Sequence, residues 1–289
     1  MKKYKVQKAA RTPFQKFIAY TVIAALHVIV VLGILSGVEA RDWIMLLAVY
    51  LACGMVGVNA GLHRYFSHRA FRTSRVFQFV LGWLGAITMT DPISFAGKHR
   101  IHHRYSDTER DVHGPRFGFW QSWFGSLVDH GYTKTELQAR VKDLTGFPEL
   151  MLLHRVPLLA TATTGALIWW LGGFSMFAVG YVLALLIFIN LAGATNYFCH
   201  KYGSRRYNTD DTSTNNMWVN LITMGEGWHH NHHYYQASAN CGFFWYEWDP
   251  TYWSIRLLAI LHIVWDVKTV PLRVRDRLAD NAELAAHIS

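Results

Sequence analysis

Three histidine clusters carry the chemistry open to this chain. His63 and His68 bracket Arg64-Tyr65-Phe66-Ser67. His99, His102 and His103 form a second cluster. His229, His232 and His233 form a third, around His230 and Asn231. Neutral imidazole is the commonest metal-ligating side chain and suits iron, zinc and copper. One cluster would be a weak signal. Three in an apolar chain point to a metal centre held almost wholly by nitrogen.

The spacing supports shared ligation. His99, His102 and His103 stand at i, i+3 and i+4, on one helical face, and His229, His232 and His233 repeat that spacing. His63 and His68 are five apart, about 140° out of register on an ideal α-helix. Either their helix ends there or each serves a different metal. His200 is a ninth histidine, and Asn196, at i−4 on the same face, is a candidate tenth ligand acting through water. A single metal takes about four to six ligands, so nine histidines imply two metals. A zinc site is four-coordinate and does not need nine. Carboxylates are scarce in the clusters, unlike the Glu and Glu-x-x-His pattern of soluble di-iron bundles.

The elements that must position these residues are membrane helices. Of the 289 residues 52% are hydrophobic and only 16% charged, a balance unlike that of a soluble domain. A span takes about 20 apolar residues, and four stretches qualify: 17–36, 43–62, 152–171 and 174–195. The links Glu39–Asp42 and Gly172-Gly173 are too short for domains and read as tight turns on one side. The segments 63–151 and 196–270 then share the other side, which puts all three clusters together. The run 76–89 is read as an interfacial or core helix, because a fifth span would part the first two clusters. Residues 255–267 read as a second such helix. The expectation is an all-α integral membrane protein. It has a single domain over 1–289, four transmembrane helices, a cap carrying the histidines and a polar tail from 271.

The net charge is +9. Lys2, Lys3, Lys5, Lys8, Arg11 and Lys16 cluster at the N-terminus, which reads as a positive-inside signal and a retained anchor rather than a cleaved leader. The clusters and both termini are therefore expected on the cytoplasmic side. No nucleic-acid module is present. Cys53, Cys199 and Cys241 form no paired motif and read as buried or lipid-facing thiols. His27, His113, His130, His154, His262 and His287 read as ordinary core or surface residues, with His113 the one candidate partner of a ligand. Asp107, Glu109, Asp111, Asp211 and Glu226 could orient ligand imidazoles, and each is also an ordinary candidate for a surface ion pair.

With these motifs in hand, the chain resembles the membrane-bound fatty acid desaturases, specifically the stearoyl-type Δ9 acyl desaturases. The matching strings run from His63 to His68, His99 to Asp107, Asn196 to His200, Gly225 to His233 and Trp248 to Trp253. Their order and spacing fit over roughly residues 15–270. The resemblance implies two irons held by His63, His68, His99, His102, His103, His200, His229, His232 and His233, with Asn196 acting through water. It also implies O2 as co-substrate and a small electron donor such as ferredoxin, rubredoxin or cytochrome b5, fed by a reductase.

Three positions depart from the pattern. His230 stands where the family usually has a non-ligating polar residue. Tyr234-Tyr235-Gln236 replaces the usual Phe-Pro ending. Gly97-Lys98 replaces the Arg-Asp pair with which animal acyl-CoA enzymes tend to contact the coenzyme. The His-Pro-Gly-Gly signature of a fused cytochrome b5 does not occur in these 289 residues, and a separate electron carrier is the expectation.

The implied reaction puts a cis double bond, of Δ9 type, into a saturated acyl chain of a lipid or acyl-CoA. An unactivated methylene has no acidic proton, so the hard chemistry belongs to the metal. An apolar tunnel would choose the bond, with Trp83, Met89, Thr90, Trp120, Trp123 and Phe124 as candidate walls. The rivals are a hydroxylase on the same scaffold and a non-catalytic membrane carrier of metal or haem. A carrier would place its ligands inside the spans. Here the expected spans hold only His27 and His154, and the ligands gather where the chain leaves the membrane.

Overall fold

The computed structural model describes residues 12–111, 114, 116, 118–128 and 132–277. His113, His130, His287, the basic cluster up to Arg11 and the end of the tail lie outside them. Helix α1 (Pro13–Leu35) starts in a capping box. Thr12 Oγ1 accepts from Gln15 N at 3.2 Å, and Gln15 Oε1 accepts from Thr12 N at 3.0 Å, with Pro13 in the first turn. Its side chains are apolar all round and mostly exposed, and only Val30 and Gly33 are buried. Such a helix has lipid as its natural solvent.

After the short link 36–39, α2 (Ala40–Val49) runs on into a π-helix, π1 (Tyr50–Ser67). Among the described residues three helices are long and apolar enough to cross a membrane: Pro13–Leu35, Ala40–Ser67 and Leu159–Phe198. The four expected spans thus become three continuous helical runs, and the last of these is bent back on itself. It comprises α9 (Leu159–Ser175), π2 (Met176–Val182) and α10 (Leu183–Phe198). Gly173, at φ 73° and ψ −165°, interrupts it. A straight helix would hold Thr161 and Tyr181 about 30 Å apart. Instead the Tyr181 hydroxyl donates to Thr161 O at 2.6 Å. Only glycine takes that φ without steric strain.

Two boundaries shift from expectation. Residues 152–155 belong to a separate short helix, α8 (Pro148–Arg155), not to the third span. The second interfacial helix is α13 (Pro250–Ile260), started by Asp249, whose carboxylate accepts from Tyr252 N. The chain leaves it through His262 at φ 56° and enters the strand β2 (Val264–Trp265). That strand pairs antiparallel with β1 (Arg72–Thr73).

Small residues let the helices close up, as membrane packing requires. Gly33 of α1 abuts Ala178 of π2, and Gly180 abuts Met45 of α2. The run 76–89 contains α3 (Arg75–Ala86), which packs along π1 where Gly57 meets the backbone of Leu84 and Gly85. On the far side of π1 lies α4 (Pro92–Tyr105). Its cap, Asp91, accepts from Ile93 N at 3.0 Å and Ser94 N at 2.9 Å. The other helices among the described residues are α5 (Phe119–Val128), α6 (Lys134–Arg140), α7 (Lys142–Thr145), α11 (Met217–Thr223), α12 (His229–Tyr234) and α14 (Leu272–Arg275).

Candidate metal centre

Four elements deliver the nine histidines to one place. The end of π1 brings His63 and His68, α4 brings His99, His102 and His103, the exit from α10 brings His200, and α12 brings His229, His232 and His233. At the first cluster the helix ends between the two imidazoles: π1 closes at Ser67, and His68, at φ −110°, turns its N–H to Tyr65 O. The pair is thereby released from the α-helical register, and His63 and His68 reach the same group, with ring centroids 5.1 Å apart.

Two groups form. One holds His63, His68, His99, His103 and His232; the other holds His102, His200, His229 and His233. Within each, the ligand atoms lie within 4.8 Å of one another. Neighbouring Nε2 atoms face each other closely. The separations are 2.9 Å for His63–His232, 2.8 Å for His68–His99, 2.9 Å for His99–His103 and 2.9 Å for His103–His232. In the second group they are 3.0 Å for His200–His229 and 3.3 Å for His102–His233. Nitrogens bonded to a common metal at about 2.1 Å and right angles would sit about 3 Å apart.

Carboxylates stand behind the imidazoles. His102 Nδ1 lies 2.9 Å from Asp111 Oδ1, and His233 Nδ1 lies 2.6 Å from Asp211 Oδ2. Glu226 pairs with His63 Nδ1, and Asp107 lies 3.6 Å from His200 Nδ1. Four of the five acidic residues singled out in the sequence are thus at ligands. Glu109 is not; it is exposed and faces Arg116 at 3.5 Å.

These contacts test whether the residues suit a metal. A carboxylate accepting from Nδ1 fixes the neutral tautomer in which Nε2 is a bare lone pair. His102 and His233 each have a carboxylate at Nδ1, and their Nε2 atoms face each other at 3.3 Å. As neutral imidazoles both would turn Nε2 lone pairs to a cation held between them. The donor set therefore fits a pair of nitrogen-bound transition metals.

At six of the nine histidines electrostatics favour the neutral imidazole. Burial first, then neighbouring imidazoles, hold His68, His99, His103, His229 and His232 well below the ordinary imidazole value. Burial also lowers His233, to about 3, against the pull of Asp211. In His102 burial is outweighed by Asp111, and the value rises. Burial raises Glu226, but His63 and Arg64 outweigh it and bring the carboxyl to about 2.

Some organising residues carried no signal that reading by type and spacing could isolate. Arg64 is fully buried inside the first cluster. It donates to Asp249 Oδ2 at 2.7 Å, Glu226 Oε1 at 3.0 Å and Ala239 O at 2.7 Å. An arginine at the end of an apolar run was the available hint. Asn231, between two ligands, donates to Glu247 Oε2 at 2.8 Å and Cys241 O at 3.0 Å. His230 stands outside both groups, as expected. Its Nε2 accepts from Tyr207 N, and its Nδ1 meets Ser213 Oγ at 3.1 Å. His154 is likewise structural, 3.0 Å from the α4 cap Asp91. Cys53, Cys199 and Cys241 are free and buried.

Asn196 is half-buried on α10, one turn before His200. The tunnel candidates fall into two sets. Trp83 and Met89 pack against the core that holds Val49, Cys53 and Phe188. Thr90 follows them, half-buried. Trp123 packs on Gly193 of α10 and donates to Asn190 Oδ1 at 3.1 Å, while Trp120, stacked on Phe124, is 73% exposed. A cavity of about 370 Å³ opens beside His68 and His103, but none of the six borders it.

The fatty acid desaturase family profile matches residues 41–256. The chain is 35% identical over 223 residues to an sn-1 stearoyl-lipid 9-desaturase of Anabaena variabilis, covering 77% of this chain and 82% of the relative. It is 34% identical over 230 residues to an icosanoyl-CoA 5-desaturase of Limnanthes douglasii, covering 78% and 65%. It is 33% identical over 236 residues to Delta-9 acyl-lipid desaturase 1 of Arabidopsis thaliana, covering 81% and 77%. The match spans every histidine of both groups, and the chain belongs to the fatty acid desaturase family.

Proposed function

We propose that this chain is an O2-dependent di-iron desaturase that places a cis double bond, of Δ9 type, in a saturated acyl chain carried on a lipid. The observation that carries the reading is the facing pair of Nε2 atoms on His102 and His233, each imidazole backed at Nδ1 by its own carboxylate. All nine histidines are the ligands, five to one metal and four to the other, with Asn196 completing the smaller set through water.

When bound, two irons supply with O2 the redox chemistry that removes hydrogen from adjacent unactivated methylenes. The chain's own residues do the rest. Asp111, Asp211 and Glu226 hold their imidazoles in one tautomer and orientation. The buried Arg64 ties Glu226 to Asp249 and so fixes the exit of π1 relative to α13. Burial of the four-histidine group excludes water. Trp83, Met89, Thr90, Trp123 and Phe124, with Trp120 outermost, line the approach of the acyl chain.

Gly97 supports a lipid rather than a coenzyme A carrier. A Cβ there would lie 3.0 Å from Leu137 O and 3.1 Å from Leu137 Cβ, so no long side chain fits under α6. The Arg-Asp pair of animal acyl-CoA enzymes has no counterpart at this place. Relatives named for both carriers match the chain, those for stearoyl-lipid and acyl-lipid substrates alongside one for icosanoyl-CoA. The basic segment between the second and third long helices, with Arg69, Arg72, Arg75, Arg100 and Arg104, supports a cytoplasmic position for the site.

The test is double-bond mapping by gas chromatography–mass spectrometry of host lipids, with and without the chain, using His102→Ala as control. A new monounsaturated chain made only by the wild type is expected. Hydroxy acids instead would replace the desaturase by a hydroxylase. Full activity in His102→Ala would refute the ligand set.

A further inference from the structure

Two positions at which this chain departs from the family pattern, His230 and Tyr234, meet on one residue, Tyr207. The Tyr234 ring lies flat on the Tyr207 ring, with centroids 4.0 Å apart and planes 4° from parallel. Both hydroxyls donate to carbonyls of α14, Tyr207 to Arg275 O at 2.9 Å and Tyr234 to Val274 O at 3.3 Å. Tyr207 is thus held at its ring and at its hydroxyl, and its backbone N–H donates to His230 Nε2 at 2.9 Å. His230 is fully buried and directly follows the ligand His229.

A backbone N–H can only donate, so this one bond fixes the protons that follow. His230 Nε2 accepts, which leaves a neutral ring with its proton on Nδ1. That Nδ1–H donates to Ser213 Oγ at 3.1 Å. Ser213 Oγ then has its own proton for Asp211 Oδ1, at 2.5 Å. The second oxygen, Asp211 Oδ2, accepts from Nδ1 of the ligand His233 at 2.6 Å. The opposite tautomer of His230 would set two N–H groups against each other at Tyr207. Thr209 Oγ1 is directed in the same way. It accepts from Arg205 at 3.0 Å and donates to Asp211 Oδ1 at 3.0 Å. The hydrogen bonds therefore run in one sense, from a main-chain amide to the carboxylate behind a ligand.

We infer that His230 is a positioning residue for the four-histidine group, acting through Ser213 and Asp211 on the ligand His233. The stacked pair Tyr207 and Tyr234 sets its tautomer. An apolar side chain in its place would orphan the Tyr207 N–H and free the Ser213 hydroxyl to turn from Asp211, loosening the carboxylate that orients His233. The effect belongs to one metal of the two. This inference rests on the ligand set proposed above.

The experiment reads metal binding, so it does not depend on turnover. The full chain, stripped of metal and held in nanodiscs, is loaded with Co(II) and challenged with a chelator. Visible absorption follows each cobalt ion, and thermal unfolding is recorded beside it. Losing the direct partner of a ligand costs about 10- to 100-fold in affinity, and His230 acts further out, so His230→Leu should release one cobalt about 3- to 10-fold earlier and leave the other unchanged. His230→Asn keeps a donor near the place of Nδ1 and should hold both ions within about twofold of wild type. Tyr234→Phe keeps the stack and should match wild type, whereas Tyr234→Ala should release the same cobalt early. Added to His230→Leu, Tyr234→Ala should cost nothing further, because both act through one hydrogen bond. A merely structural role would lower the unfolding midpoint equally in His230→Leu and His230→Asn and loosen both ions together. That result, or retention of both ions by His230→Leu as in wild type, would overturn the inference. Should His230→Leu fail to fold, Ser213→Ala carries the test with the same expected release of one ion. A folded wild type that binds fewer than two cobalt ions would overturn the ligand set, and this inference with it.

Discussion

Replacing Asp211 by asparagine changes one oxygen to an amide nitrogen and leaves the shape almost intact. Three donors converge on Asp211 Oδ1: Ser213 N at 3.0 Å, Ser213 Oγ at 2.5 Å and Thr209 Oγ1 at 3.0 Å. The asparagine carbonyl takes that place, because an amide NH2 there would face donors alone. Its NH2 is then aimed at His233 Nδ1, where the carboxylate accepted at 2.6 Å. Donor meets donor unless His233 moves its proton to Nε2, and a protonated Nε2 cannot ligate. Losing such an orienting partner weakens a metal site about 10- to 100-fold, or about 1.4–2.7 kcal/mol. The weakening should be confined to the four-histidine group, since Asp211 touches no member of the other. Iron per chain is read by mass spectrometry across a chelator series. The wild type should hold two irons to higher chelator concentration, and Asp211→Asn should lose one 10- to 100-fold earlier while keeping the second. Glu109→Gln, at an exposed carboxylate away from the ligands, serves as control. Equal retention of both irons by Asp211→Asn would refute the tautomer argument.

Two further outcomes follow from the ion pairs. Arg64→Met should strip charge compensation from Glu226 and Asp249, which Arg64 holds at 3.0 and 2.7 Å. Breaking one side of a buried network costs about 3–5 kcal/mol, so the midpoint of unfolding in mild detergent should fall sharply, while a stability unchanged within error would count against that network. Burial raises the Asp143 carboxyl, but Arg100 and Arg69 outweigh it and hold it at about 2. Its folded value lies below its unfolded one, so its stabilisation is present above about pH 4 and fades as pH falls from there towards 2. The pair is half-exposed, so the effect is about 1 kcal/mol at most. Asp143→Asn should flatten that part of the acid-unfolding curve, and an unaltered curve would exclude the contribution.

Much of the site was readable along the chain because its parts are local. The i, i+3, i+4 spacing of His99, His102 and His103, repeated at His229, His232 and His233, needs only a helix to bring three imidazoles to one face. The apolar runs and the Gly172-Gly173 break likewise announce membrane helices and a reversal. The polar partners Asp107, Asp111, Asp211 and Glu226 could be nominated by proximity in sequence, and Glu109 with them.

What the sequence by itself determined is the inventory: nine histidines, their local faces, the apolar lengths and the basic excess. Tertiary structure decided everything that depends on distance through space. The α-helical period set His63 and His68 on different faces, and only the fold ends π1 at Ser67, between them, so that both face one group. The split of nine ligands into five and four runs across the clusters, with His102 parted from His99 and His232 from His229. Neighbouring residues on one helix can point to either side of a seam, and no spacing rule says where the seam falls. The choice between Asp111 as ligand partner and Glu109 as surface ion pair came from the same source. A carboxylate's role is set by what burial and folding bring to it, because a charge left in water interacts weakly and one enclosed with a partner does not.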